Sequence, residues 1–271
     1  MFQQDLFKDK IALVTGGRSG IGYAIAKQLL QLGAKVTIAS RKEGPLQKAA
    51  AALADFGRCD YKACDIRQTT DIQALAQQIK EHHGRLDILV NNAGGQFPAL
   101  AEFINDKGWN AVVNNNLNGT FFMIREMANT FFIPQKEGVI VNIIANIYRG
   151  FPGMVHTGAA RAGVENITKT LAVEWSSHNI RINCIAPGTI ESSGLDQYPP
   201  AIQDLFEEAK KAIPAGRFGK VEDVAHATCF MASPMSSYIT GTTLYVDGAQ
   251  HLNSDIMGLP NVIKSFMNPP N

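Results

Sequence analysis

The apolar run Ile11-Ala12-Leu13-Val14 leads into Thr15-Gly16-Gly17-Arg18-Ser19-Gly20-Ile21-Gly22, and the helix-forming run Tyr23-Ala24-Ile25-Ala26 follows at once. A strand, a glycine turn and a helix in that order restrict the chain to an α/β architecture whose first turn is an anion cradle. The helix start offers unpaired N–H donors and a partial positive charge, and the glycines let the backbone close on a pyrophosphate. The spacing is G-x-x-x-G-x-G, carried by Gly16, Gly20 and Gly22.

The remainder of the chain repeats the alternation. Strand-like apolar runs are expected at 11–14, 35–39, 60–64, 86–90, 138–144, 181–185 and 242–246, and most are continuous rather than alternating, as befits strands covered on both faces. Helical patterns lie between them at 20–32, 44–56, 69–83, 108–132, 157–177 and 220–233. With no long linker and no repeat, the 271 residues are expected to form a single Rossmann-type doubly wound domain with a seven-stranded parallel sheet. The stretch 190–200, followed by a helix at 201–212, reads as an excursion over the site, and 249–271 reads as a C-terminal tail.

Four scattered cysteines (Cys59, Cys64, Cys184, Cys229) without a C-x-x-C pair are expected to be structural thiols in a reducing compartment, with no metal site. A net charge of +1 gives no electrostatic footprint for nucleic acid or an anionic membrane. Met1–Leu6 lacks a basic region followed by an apolar block, and no apolar run approaches the ~20 residues of a membrane span. A soluble cytoplasmic protein is expected.

Further motifs sharpen this reading. Asp65-Ile66 follows the third strand, Asn91-Asn92-Ala93-Gly94 closes the fourth, and Asn116-Leu117-Asn118-Gly119 lies in the long helical run. Pro187-Gly188 follows the sixth strand, and Gly241 and Val246-Asp247-Gly248 frame the seventh. Over about residues 7–250 the chain resembles the short-chain dehydrogenase/reductase family. The resemblance implies a nicotinamide dinucleotide at the carboxyl ends of the strands, and a homotetramer packed through the helices near 108–132 and 157–177. Its contacts would come from Gly16, Arg18, Ser19, Gly20, Ile21 and Gly22 in the turn, with Asp65 accepting from the adenine amino group beside Ile66. Asn92, Ala93 and Gly94 would lie under the ribose. Pro187, Gly188, Thr189 and Ile190 would hold the carboxamide, with Ser192 supplying a hydroxyl.

Charge selects the nucleotide. Relatives that use NAD place an acid at the end of the second strand to accept from the ribose 2′-hydroxyl. Here that segment is Ala39-Ser40-Arg41-Lys42, and Arg18 sits in the glycine turn. Guanidinium groups converging there suit a 2′-phosphate, so NADPH is expected, with Ser40 and Arg41 among its ligands.

The chain departs from the family at its chemistry. Most relatives carry Tyr-x-x-x-Lys and an earlier Ser; aligned on Ala162-Gly163-Val164, the Lys position is Arg161, the Tyr position Thr157 and the Ser position Ala145. Thr157 is too weak an acid to replace a phenol. The stretch His156–Val164 is similar to peroxisomal-type trans-2-enoyl-CoA reductases, and Ile147-Tyr148 with Leu117-Asn118-Gly119-Thr120-Phe121 resembles the 2,4-dienoyl-CoA reductases. That resemblance implies hydride addition to an enoyl- or dienoyl-CoA, with Tyr148 and an amide of Asn116 or Asn118 donating to the thioester oxygen. Arg161 would take the ribose contact of the Lys. Tyr148 stands thirteen positions before Arg161, two fewer than the dienoyl pattern. A carbonyl or alcohol oxidoreductase, and a non-catalytic NADP(H)-binding member, remain alternatives. Glu165 and Lys169 have the spacing of an i,i+4 ion pair, and His156 reads as packing or substrate-lining.

Overall fold

The structure, a computed structural model, describes residues 2–191 and 210–253. Seven strands form one parallel sheet: β1 (Ile11–Thr15), β2 (Lys35–Ser40), β3 (Cys59–Ala63), β4 (Ile88–Asn91), β5 (Gly138–Ile143), β6 (Ile180–Pro187) and β7 (Thr243–Val246). Their order across the sheet is β3-β2-β1-β4-β5-β6-β7. The helices are α1 (Gly20–Gln31), α2 (Glu43–Leu53), α3 (Thr69–His83), α4 (Asp106–Val113), α5 (Gly119–Met127), α6 (Ile133–Gln135), α7 (Val155–Glu174) and α8 (Val221–Ala232). The expected helix 201–212 and most of the tail 249–271 lie outside the described residues.

Successive strand residues point to opposite faces, so each strand feeds two cores. Ala12 and Val14 join Ile25, Leu29, Ile38 and Val90 on one side, under α1 and α8. Ile11 and Leu13 join Ile72, Leu75, Leu89, Phe132 and Ile140 on the other, under α3 and α5. Leu13 is fully buried, and truncating such a side chain to alanine costs about 2–5 kcal/mol because the cavity closes only in part.

Two details position the site. The helical run 106–135 is interrupted by π-turns at Asn114–Asn118 and Ala128–Phe132; a π-turn inserts one residue and rotates every side chain that follows. A buried chain of hydrogen bonds runs Asn91 Nδ2 to Asn142 Oδ1 (2.9 Å), then Asn142 Nδ2 to Thr168 Oγ1 (2.9 Å). It ties the carboxyl ends of β4 and β5 to α7, and with them the position of Arg161.

Candidate active site

Chain connections run in opposite directions on either side of β1 and β4, and the crevice between their carboxyl ends is where open α/β sheets take ligands. Thr15 and Asn92 stitch it. Thr15 Oγ1 accepts from the N–H groups of Asn92 and Ala93, both at 3.0 Å, and Asn92 Nδ2 donates back to Thr15 O at 3.0 Å. Gly16 has φ +68, and a Cβ there would stand 2.7 Å from Asn92 Nδ2, so conformation and space both require glycine.

A cavity of about 210 Å³ opens at this point, lined by Gly16, Arg18, Ser19, Ser40, Arg41, Lys42, Cys64, Ile66, Asn92, Ala93, Gly94 and Asn115. Ser19 caps α1 without a side-chain bond, and the first turn of that helix has no acidic residue. The helix dipole therefore faces the cavity unneutralised. Ser40 Oγ is buried with no partner. No carboxylate lines the cavity, while two guanidinium groups and an ammonium do. Orphaned hydroxyl, bare helix start and clustered cations fit a phosphorylated dinucleotide.

Asn92 and Gly94 also line a second cavity of about 590 Å³, with Ile21, Ala145, Asn146, Phe151, Met154, Arg161, Pro187, Gly188, Thr189 and Ile190 among its walls. Arg161 Nη1 donates to Ile143 O at 3.1 Å, its Nη2 crowds Gly94, and its Nε has no partner. Burial lowers its pKa to about 10, which leaves it charged at neutral pH. Among the described residues no carboxylate pairs with it. A buried guanidinium without a counter-charge is costly, and hydrogen-bond acceptors of a ligand beside Gly94 would offset part of that cost.

Several expected site residues are placed elsewhere. Tyr148 does not line the cavity. It is 61% exposed and stands edge-on to Tyr245 and His251, at 5.9 and 5.4 Å between ring centres. The loop after β5 carries it there: Arg149 grips the carbonyls of Leu252 and Asn253, and Gly150 turns the chain with φ +82. Asn118 is also off the cavity, its Nδ2 bonded to Asn114 Oδ1 at 2.8 Å across the π-turn. Asn116 is buried and clamps Gly95 in both directions, accepting from its N–H at 3.1 Å and donating to its carbonyl at 2.7 Å. The Asp65 carboxylate is held by the Arg67 backbone N–H and guanidinium, which keep it below the usual carboxylate range. Ser192 lies outside the described residues.

At the family's usual chemical positions there is no acid. Ala145 lines the cavity. Thr157 is fully buried, with its N–H and its hydroxyl both on His156 Nδ1. His156 packs edge-on against Phe97 at 4.6 Å, and its Nε2 has no partner. The Glu165–Lys169 pair forms at 2.9 Å. Sequence reasoning missed Asn146, Asn115 and Gln250 as cavity residues. Asn146 stands next to the Ala145 position, and that adjacency was the one signal available.

Comparisons with known proteins agree with this geometry. Residues 16–251 match the family described as Enoyl-(Acyl carrier protein) reductase. The chain is 38% identical to "Probable 2,4-dienoyl-CoA reductase [(2E)-enoyl-CoA-producing]" of Bacillus subtilis (strain 168), covering 90% of this chain and 97% of that one. It is also 38% identical to "3-oxoacyl-[acyl-carrier-protein] reductase FabG" of Thermotoga maritima, covering 88% and 96%. Among solved structures, "citronellol catabolism dehydrogenase (AtuB)" of Pseudomonas aeruginosa PAO1 superposes with a TM-score of 0.83 at 38% identity, covering 93% and 98%. The chain belongs to the short-chain dehydrogenase/reductase family of oxidoreductases, whose members bind nicotinamide cofactors. No helix of the described residues is long and apolar enough to cross a membrane.

Proposed function

We propose that the protein is an NADPH-dependent reductase of the C=C bond of an enoyl- or dienoyl-CoA thioester. The observation that carries this reading is the composition of the second cavity. It lacks a hydroxyl acid at both usual positions, yet keeps the amide of Asn146 and the buried guanidinium of Arg161. Reduction of a ketone must deliver a proton to the oxygen that receives charge. Reduction of an α,β-unsaturated thioester needs only donors that hold the charge developing on the thioester oxygen, since carbon can be protonated by water. One such donor contributes about 2.7–4 kcal/mol in other enzymes.

When bound, NADPH would supply the hydride. Arg18, Ser40, Arg41 and Lys42 would bind its 2′-phosphate, the start of α1 its pyrophosphate, and Arg161 its ribose beside Gly94. Asn146 would donate to the thioester oxygen, while the positive charge of Arg161 favours the enolate. Phe151 and Met154 offer the acyl chain an apolar wall. The likeness to 2,4-dienoyl-CoA reductase supports the substrate class.

The test is loss of NADPH absorbance with trans-2-enoyl-CoA and 2,4-dienoyl-CoA esters of graded chain length. Turnover on either series supports the reading. NADPH binding with silence on both, and turnover on 3-oxoacyl thioesters instead, overturns it in favour of the carbonyl chemistry that the likeness to 3-oxoacyl-[acyl-carrier-protein] reductase suggests. A homotetramer is part of the proposal, supported by exposed Trp109 on α4 and Val173 on α7, and light scattering on the purified protein tests it.

A further inference from the structure

The wall of the second cavity is held from behind by a turn that the chemistry so far has not used. Asn146 follows β5, and its backbone N–H donates to Pro187 O at 3.0 Å. Its side-chain Nδ2 donates to Asp247 Oδ2 at 3.0 Å. The Asp247 side chain, just past β7, is 2% exposed. Its Oδ2 also accepts from the backbone N–H of His251 at 2.7 Å and from His251 Nδ1 at 2.8 Å, and its Oδ1 accepts from Ala249 N–H at 3.1 Å. The His251 ring is fixed in turn by stacking on Tyr245, with 4.1 Å between centres. Gln250, in the same turn, accepts from Thr189 N–H at 3.1 Å, so the turn braces the opposite wall as well.

This arrangement settles the orientation of the Asn146 amide. A carboxylate only accepts, so Nδ2 must face Asp247 and cannot exchange places with Oδ1. An amide nitrogen carries two hydrogens. One is bound by Asp247, and the other has no protein partner among the described residues. We infer that Asp247, itself oriented by His251, is a positioning residue that locks the Asn146 amide so that its second N–H serves the thioester oxygen. The inference rests on the substrate class proposed above. It also gives a role to the Val246-Asp247-Gly248 motif in this chain: the charge of Asp247 polarises the amide that it holds, and the stacked imidazole prevents the carboxylate from turning away.

Asp247→Asn tests it, because it keeps shape and removes the obligate acceptor. By analogy with the outer-shell partners of metal ligands, kcat should fall about ten- to hundred-fold, with KM for the thioester and affinity for NADPH within about two-fold. Unchanged kcat overturns the inference, and so does a parallel loss of NADPH binding and melting temperature, which would make Asp247 merely structural. The double variant Asn146→Asp with Asp247→Asn restores the bond with its polarity reversed but presents no N–H to the cavity. It should keep the wild-type melting temperature and still lack turnover; wild-type turnover overturns the inference. If the wild-type protein reduces no enoyl or dienoyl thioester, the proposed substrate class fails by itself. Crystal structures of wild type and Asp247→Asn then decide the positioning directly, and an Asn146 amide in the same place and orientation in both overturns it.

Discussion

At the scale of single residues, the site is defined by which polar atoms are left without partners. Ser40 Oγ and Arg161 Nε are buried and unbonded, and their residues line the two cavities. Arg41→Asp should raise KM for NADPH about ten- to hundred-fold, since a charge-assisted hydrogen bond contributes roughly 1.5–3 kcal/mol. KM for NADH should fall or stay level, and initial rates with both nucleotides measure this. Tyr148→Phe keeps the ring on Tyr245 and His251 and removes only a hydroxyl outside the cavity. Its kcat should stay within about two-fold of wild type, as for other surface changes. A fall of orders of magnitude would show that the loop after β5 swings Tyr148 inward during turnover, and would return it to the role that its place in the sequence suggested.

At the scale of elements, the strands were legible because each is buried on both faces and so reads as an unbroken apolar run; 138–144 and 181–185 fall within β5 and β6 to about two residues. Helices were legible from period and glycine punctuation, with 69–83 matching α3. What escaped was rotation and direction. The π-turn at Asn114–Asn118 turns Asn116 inward onto Gly95 and leaves Asn118 on Asn114, and no count in steps of 3.6 reveals an inserted residue. Tyr148 was chosen by its resemblance to the dienoyl-CoA reductases, and a place in the sequence says nothing about where a loop bent at Gly150 and Gly153 carries the side chain. Asn146, a polar residue in a loop, gave no sign that a carboxylate a hundred and one residues later would fix it. The Asn116 clamp has a measurable worth. Asn116→Ala removes two hydrogen bonds of about 0.5–1.5 kcal/mol net each. At roughly 2–4 °C per kcal/mol for a chain of this size, calorimetry should record a melting point lower by several degrees.

For the molecule as a whole, stability should decline toward acid in two stages. Burial lowers the pKa of His83 despite the Asp60 carboxylate 2.9 Å away, so folding favours its neutral form. That contribution is fully present above the unfolded pKa near 6.5 and is lost as pH falls through the lowered folded value. Asp223, held low first by Arg217 and then by the N–H of Lys220 at the start of α8, keeps its contribution above pH ~4 and loses it below. The melting temperature of His83→Gln should therefore depend less on pH than that of wild type as pH falls below about 6.5, and that of Asp223→Asn should converge on wild type only below about pH 4. The buried guanidinium of Arg161 has a wider consequence. A fold whose described residues give an enclosed cation no carboxylate partner gains stability from what it binds, and a ligand at a hundred times its Kd adds about 2.7 kcal/mol to stability. Protease half-life in the presence and absence of NADPH should differ accordingly, by up to about a hundred-fold where cleavage follows the open state. If the proposed cofactor is right, the abundance of this protein would then follow the total supply of phosphorylated nicotinamide nucleotide, oxidised or reduced, because both forms carry the phosphates and ribose that its cations bind.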